Sequence, residues 1–172
     1  MTVNFEKCLI EKTRKWSEEY KEVICKMASG EGSVKLTGDE LQFLRGFSQI
    51  TGVMPWDCVI EGDRLIFVVK EGKVGQVIGK GGANIKQVKD VFQREVNVVE
   101  YAATAENFVR NALAPANIKK VSIIENKNGK TVSIVDVSPE DRGRAIGKNG
   151  RNIERARILV KRHFGIEDII IA

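Results

Sequence analysis

Two kinds of hydrophobic spacing alternate along this chain. Leu41, Leu44, Phe47 and Ile50 recur at three-residue intervals, and Asp39 and Glu40 stand where the positive end of a helix dipole favours carboxylates, so the spacing predicts a helix. The pattern then shortens to two strand-like runs, Asp57 to Ile60 and Leu65 to Val69, and the turn Glu61-Gly62-Asp63 between them predicts a hairpin. A short helix from about Lys73 to Ile78 is expected to lead into Gly79-Lys80-Gly81-Gly82. A second helix follows with Ile85, Val88 and Phe92 on one face, and Val96 to Tyr101 reads as a closing strand.

The same order then returns. Phe108 and Leu113 mark a helix, Val121 to Ile124 and Val132 to Val137 read as strands, and Asn128-Gly129 between them is a type I′ turn signal. Pro139 is expected to open a helix, at a position where its missing N–H costs nothing, and Gly147-Lys148-Asn149-Gly150 interrupts that helix. A longer helix should carry Ile153, Ala156, Val160 and Phe164 inward, with Asp168 to Ile171 as the last strand. Shifting the chain against itself by 68 residues aligns Gly75 to Ile85 with Gly143 to Ile153, and seven of the eleven positions are identical. Chance agreement of that kind is implausible, so the 172 residues hold two copies of one unit, each α-β-β-α-(Gly-x-x-Gly)-α-β, in an α+β fold.

Residues 1–36 stand outside the repeat. Phe5, Leu9, Trp16, Tyr20, Val23 and Met27 fall on one arc at 100° per residue, which predicts an amphipathic helix, and Ser29-Gly30-Glu31-Gly32-Ser33 reads as a flexible linker. The expected division is therefore 1–33 for helix and linker, 34–102 for the first unit and 103–172 for the second. The apolar stripe of the N-terminal helix, with Trp16 and Tyr20, suits packing within the molecule, and equally self-association or docking on a protein partner.

Composition narrows the function. With 28 Lys and Arg against 23 Asp and Glu the chain carries +5, and 42% hydrophobic residues suffice for a core. Three cysteines without a C-x-x-C pair, and a single histidine, exclude disulfide scaffolds and structural zinc sites and leave no catalytic constellation, so no metal, cofactor or enzymatic activity is expected. No apolar run reaches the ~18 residues a membrane span needs, and the N-terminus is charged where a signal peptide would be apolar, so a cytoplasmic protein is expected. The charge is uneven: residues 1–36 carry +1, 37–102 carry −1 and 103–172 carry +5. Between Arg142 and Arg162 eight basic residues face only Glu154, and Arg151, Arg155 and Arg162 plot as one helical stripe. A solvated face is the ordinary meaning of such a stripe, but beside a glycine loop it suits phosphate contact.

An Ile-Gly-Lys-x-Gly turn between helices lets another backbone approach closely, and the N–H groups of the following helix favour phosphate oxygens. Lys80 and Lys148 add full charges, while Ile78, Ile85, Ile146 and Ile153 can line an apolar groove for unstacked bases. Gly75 to Lys80 superficially matches a nucleotide-binding G-x-x-x-x-G-K-[ST] loop, but is one residue short and has Gly81 in place of the hydroxyl. A purely structural role for the loops, as helix-breaking turns, is the other plain reading.

I-G-K-x-G-x-N-I resembles the K-homology domain, whose loop clamps about four nucleotides of single-stranded RNA. The order of elements resembles the prokaryotic, type II form. Asn111-Ala112-Leu113-Ala114-Pro115-Ala116 and Val137-Ser138-Pro139-Glu140-Asp141, leading to Ala145 through Gly150, look like the tandem K-homology region of NusA transcription factors, and most like the short archaeal NusA-like proteins. That resemblance implies binding of nascent RNA and a part in elongation, termination or antitermination at RNA polymerase. The expected RNA contacts are Ile78, Gly79, Lys80, Gly81, Gly82, Asn84 and Ile85 in the first unit. In the second they are Arg144, Ile146, Gly147, Lys148, Asn149, Gly150, Arg151, Asn152, Ile153 and Arg155. A ribosome-associated or RNA-processing adaptor is the alternative, because the same module serves there.

Overall fold

A computed structural model describes residues 37–125 and 129–172. The amphipathic helix and linker expected over 1–33 lie outside the described residues, as does Asn128 of the expected hairpin turn.

The first repeat begins with α1 (Gly38–Thr51). Thr37 caps it in a reciprocal box with Glu40: the Thr37 N–H donates to Glu40 Oε2 at 2.6 Å and the Glu40 N–H donates to Thr37 Oγ1 at 3.4 Å. Leu44 and Phe47 point into the core as the spacing predicts, but Leu41 is 43% exposed. Strands β1 (Asp57–Glu61) and β2 (Arg64–Val69) form the expected antiparallel hairpin. After β2 come α2 (Val74–Ile78), a short 3₁₀ turn at Lys80–Gly82, α3 (Ala83–Phe92) and β3 (Glu95–Glu100). The helical crossover is long enough to return β3 parallel to β2, giving a sheet of order β1-β2-β3.

The second repeat runs α4 (Ala105–Ala112), β4 (Ile118–Glu125), β5 (Thr131–Val137), α5 (Arg142–Ile146), a 3₁₀ turn at Lys148–Gly150, α6 (Arg151–Phe164) and β6 (Asp168–Ile171). Its sheet repeats the first, with β4 antiparallel and β6 parallel to β5. One boundary differs from expectation. Pro139 does not open α5; it lies in a turn in which the Ser138 carbonyl accepts from the N–H groups of Asp141 at 2.9 Å and Arg142 at 3.0 Å, and the helix starts after Asp141.

Each sheet packs its helices on one face. In the first repeat Phe47 stacks on Phe67 with ring centroids 4.1 Å apart, joined by Leu44, Leu65, Val69, Val77 and Val88. The second core does not stop at its own repeat. Val59, Ile66 and Val68, on the opposite face of the first sheet, belong to the same buried cluster as Phe108, Val109, Leu113, Leu159 and Val160. Strand β2 is consequently buried on both faces from Leu65 to Val69, whereas β5 alternates between covered and open positions. Burying each of those three outer side chains is worth at most ~1.5–3 kcal/mol, enough to make the contact between repeats a core rather than a touch between surfaces.

Candidate nucleic-acid interface

The two glycine loops adopt one backbone path. Gly79 lies at φ 73°, ψ 174° and Gly147 at φ 76°, ψ 170°, a region essentially closed to residues with a side chain. A Cβ on Gly79 would come within 2.7 Å of the Asn84 side chain, and one on Gly147 within 2.7 Å of Asn152 Cβ and 2.9 Å of its backbone nitrogen. The third loop position is left-handed in both, Gly81 at φ 63° and Asn149 at φ 56°, and asparagine is among the few other residues that tolerate it. Gly82 and Gly150 close each turn by donating to the carbonyls of Gly79 and Gly147, both at 3.1 Å.

Lys80 and Lys148 are exposed at the turn, and so is Asn149. Beside them Ile78 is 41% and Ile146 39% exposed, which is unusual for isoleucine in a packed fold and leaves an apolar surface next to each cation. Ile85 and Ile153, on the far side of each loop, are half-buried and rest on their respective cores. No side chain caps the first turn of α3 or α6, since Gly82 and Gly150 occupy the cap positions.

The amides of Asn84 and Asn152 each have a partner inside the protein. The Asn84 amide donates to the Gln76 carbonyl and the Asn152 amide to the Arg144 carbonyl, each at 3.0 Å and each eight residues back. Asn152 also donates to the Leu113 carbonyl at 3.1 Å. These amides tie the helix after the loop to the helix before it. The motif's asparagine is thus a brace, a role that spacing alone does not reveal.

The basic residues of the second repeat divide. Arg144 is exposed and pairs with Asp141 at 2.9 Å; the Asn117 amide donating to Asp141, and then Arg144, hold that carboxyl below its ordinary value. Arg151 is also open, reaching Glu95 of the first repeat at 3.5 Å, while the Arg64 guanidinium donates to the Arg151 carbonyl at 3.4 Å. Arg155 and Arg162 leave the predicted stripe and turn inward. Arg155 donates to Asn97 Oδ1 at 3.0 Å and to the carbonyls of Ala112 at 2.8 Å and Ala114 at 3.2 Å. Burial, followed by the nearby Arg64 charge, lowers its affinity for its proton. Arg162 reaches Asp57, as does His163, whose Nε2 lies 3.0 Å from Asp57 Oδ2. His163 also meets the Phe108 ring edge-on at 5.3 Å. These three side chains join the repeats, and the surface left beside the second loop consists of Arg144, Lys148, Asn149, Arg151 and Ile146.

Two three-stranded sheets of mixed direction, each followed from its second strand by a helix, a Gly-x-x-Gly turn and a helix, define a tandem type II K-homology protein, a class that binds RNA. A family model described as NusA-like second KH domain matches residues 105–172, and one described as KH domain matches 47–103. A probable transcription termination protein NusA from Halococcus morrhuae is 41% identical over 139 residues, covering 81% of this chain and 99% of the relative. One from Methanocaldococcus jannaschii is 37% identical over 137 residues, covering 79% and 74%. The crystal structure of APE1850 is similar with a TM-score of 0.73 at 36% identity, covering 80% of this chain and all of that one. The chain belongs to the archaeal NusA-like family of RNA-binding transcription factors.

Proposed function

We propose that both glycine loops hold the sugar-phosphate backbone of one single-stranded RNA, and that this RNA is the transcript leaving RNA polymerase. The observation that carries this reading is the loop pair itself. Two segments 68 residues apart keep the same strained glycine, the same exposed lysine and the same exposed isoleucine, a combination that a mere helix-breaking turn does not require. In each loop the backbone comes close to the ligand because no Cβ intervenes, the lysine neutralises phosphate, the first N–H groups of α3 or α6 donate to its oxygens, and Ile78 or Ile146 lies under an unstacked base. Arg144 and Arg151 extend the positive surface of the second clamp, so residues 103–172 supply most of the general attraction and residues 37–102 mainly register and selectivity.

The relatives are named for termination, and we take the same role for this chain: a binding factor that acts at polymerase through the transcript it holds, with no catalytic step of its own. Among the described residues no helix is long and apolar enough to cross a membrane. Crosslinking to cellular RNA, with and without Lys148→Asp/Asn149→Asp, tests the clamp; unchanged crosslinking in the folded variant removes the second loop from the site. Co-purification with ribosomal subunits in place of polymerase would instead support an adaptor role.

A further inference from the structure

The outer face of the first sheet and the outer face of the second are one surface made twice, and among the described residues only the first is covered. Ile66 pairs with Val59 and Asn97, and its counterpart Ile134 pairs with Ser122 and Ile170. In the first repeat this face lies under the second repeat's helices, with Val59, Ile66 and Val68 buried. In the second repeat Ile170 is 48% and Ile124 44% exposed, with Ile134 half-buried between their strands.

The helix face that covers such a sheet is also present twice and used once. Val88 of α3 and Ala156 of α6 are equivalent and both are fully buried against their own cores. Three residues further on, Leu159 is fully buried whereas its equivalent Val91 is 59% exposed. Leu159 belongs to the buried cluster that Val59, Ile66 and Val68 of the first repeat share with Phe108 and Val109, whereas Val91 at the equivalent position stands open.

We propose that molecules of this chain associate head to tail, the α3 face around Val91 of one lying on the outer sheet face of Ile124, Ile134 and Ile170 of the next. The contact would repeat between molecules the junction that the repeats form within one. It is built to be weaker. Asp57, which pairs with Val68, has Lys120 as its counterpart, pairing with Asp136, and α3 ends at Phe92 without the further turn that carries Arg162 and His163 in α6. A charged pair thus sits on the open sheet where the covered one has a buried anchor, and such charges restrain edge and face association without abolishing it. Because the surfaces are different, the contact does not close on itself and adds molecules in a row.

Sedimentation velocity of the full chain over a wide concentration range tests this. The mean mass is expected to rise with concentration. Val91→Asp and Ile170→Asp, each at an exposed position and checked by circular dichroism, should each remain monomeric. An equimolar mixture of the two should form a dimer and nothing larger, because one variant keeps its sheet face and the other its helix face. Ile124→Asp gives the same block outside β6 should Ile170→Asp perturb that strand. A wild-type chain monomeric at every concentration, a Val91→Asp variant that self-associates undiminished, or a mixture that stays monomeric would each overturn the proposal.

Discussion

Arg162 grips Asp57 across the junction of the repeats, with Nε 2.9 Å from one carboxylate oxygen and Nη2 3.0 Å from the other. Asp57 is fully buried, and its Oδ1 also accepts from the Cys58 N–H at 2.8 Å. Removing Arg162 alone leaves the buried Asp57 carboxylate without its guanidinium, whereas Arg162, which also lies 3.7 Å from Glu40, keeps a countercharge when Asp57 is lost, so the two changes should be non-additive. Asp57→Val is expected to cost about 3 kcal/mol of unfolding free energy, and Asp57→Val/Arg162→Met distinctly less than the sum of the single changes. Urea denaturation of the four proteins measures this; additive losses would mean that the pair does not act as a unit.

Loop geometry ranks the glycines. Gly147→Ala meets both a forbidden backbone region and a contact 2.7 Å from Asn152 Cβ, while at Gly150 (φ 75°) an added Cβ meets no atom within 4 Å. The first substitution should cost about 3 kcal/mol and the second about 1. Equal losses in thermal denaturation would show that the Asn152 contact yields freely.

Charge reversal at the second clamp should be felt by any RNA. Lys148→Asp/Asn149→Asp is expected to weaken binding of random and cognate single strands alike, and Lys148→Ala to reduce the slope of log K against log salt by about 0.7, the value for one phosphate contact on a single strand. The corresponding Lys80→Asp/Gly81→Asp change should weaken a cognate strand more than a random polymer. Fluorescence anisotropy at several salt concentrations separates the two, and equal losses on random RNA would contradict the division of labour between the repeats.

Burial, with Asp57 and Glu40 nearby, pushes the Cys58 thiol up to about 12 from an ordinary value of 9.0. The folded value is the higher, so the unfolded chain loses this proton first. Stability from this group is complete below pH 9 and falls as pH rises from there toward 12. At pH 10.5 the loss should be about 2 kcal/mol relative to pH 8, and Cys58→Ala should lack it. Iodoacetamide at pH 8 should leave Cys58 unmodified until the protein unfolds; rapid alkylation in the native state would contradict the buried environment.

The order of elements and the position of both loops were legible because they rest on local signals: hairpin turns, three-residue apolar spacing and a motif written twice. Strand β6 was placed at its observed bounds, Asp168–Ile171, and β2 within one residue. The junction was not legible. Arg155 and Arg162 plot with Arg151 on what resembles a solvated stripe, yet the first finds Asn97 58 residues away and the second Asp57 105 residues away. Nothing in helical periodicity distinguishes a guanidinium facing water from one facing another domain. The bracing by Asn84 and Asn152 was hidden for another reason: their partners are backbone carbonyls, which have no identity in a sequence. Pro139 failed as a helix start because the Ser138 carbonyl, which sequence does not display, takes the N–H groups of Asp141 and Arg142 in a turn of its own.

Duplication has left the two copies under different constraints. Strand β2, enclosed on both faces, is fully buried at every position from Leu65 to Val69. Strand β5 carries Asp136 where β2 carries Val68, so its outer face holds a charge at a position that the enclosed strand fills with an apolar side chain. The first copy's sheet is therefore interior on both sides, a floor for its sibling, while the outer face of the second copy still meets solvent.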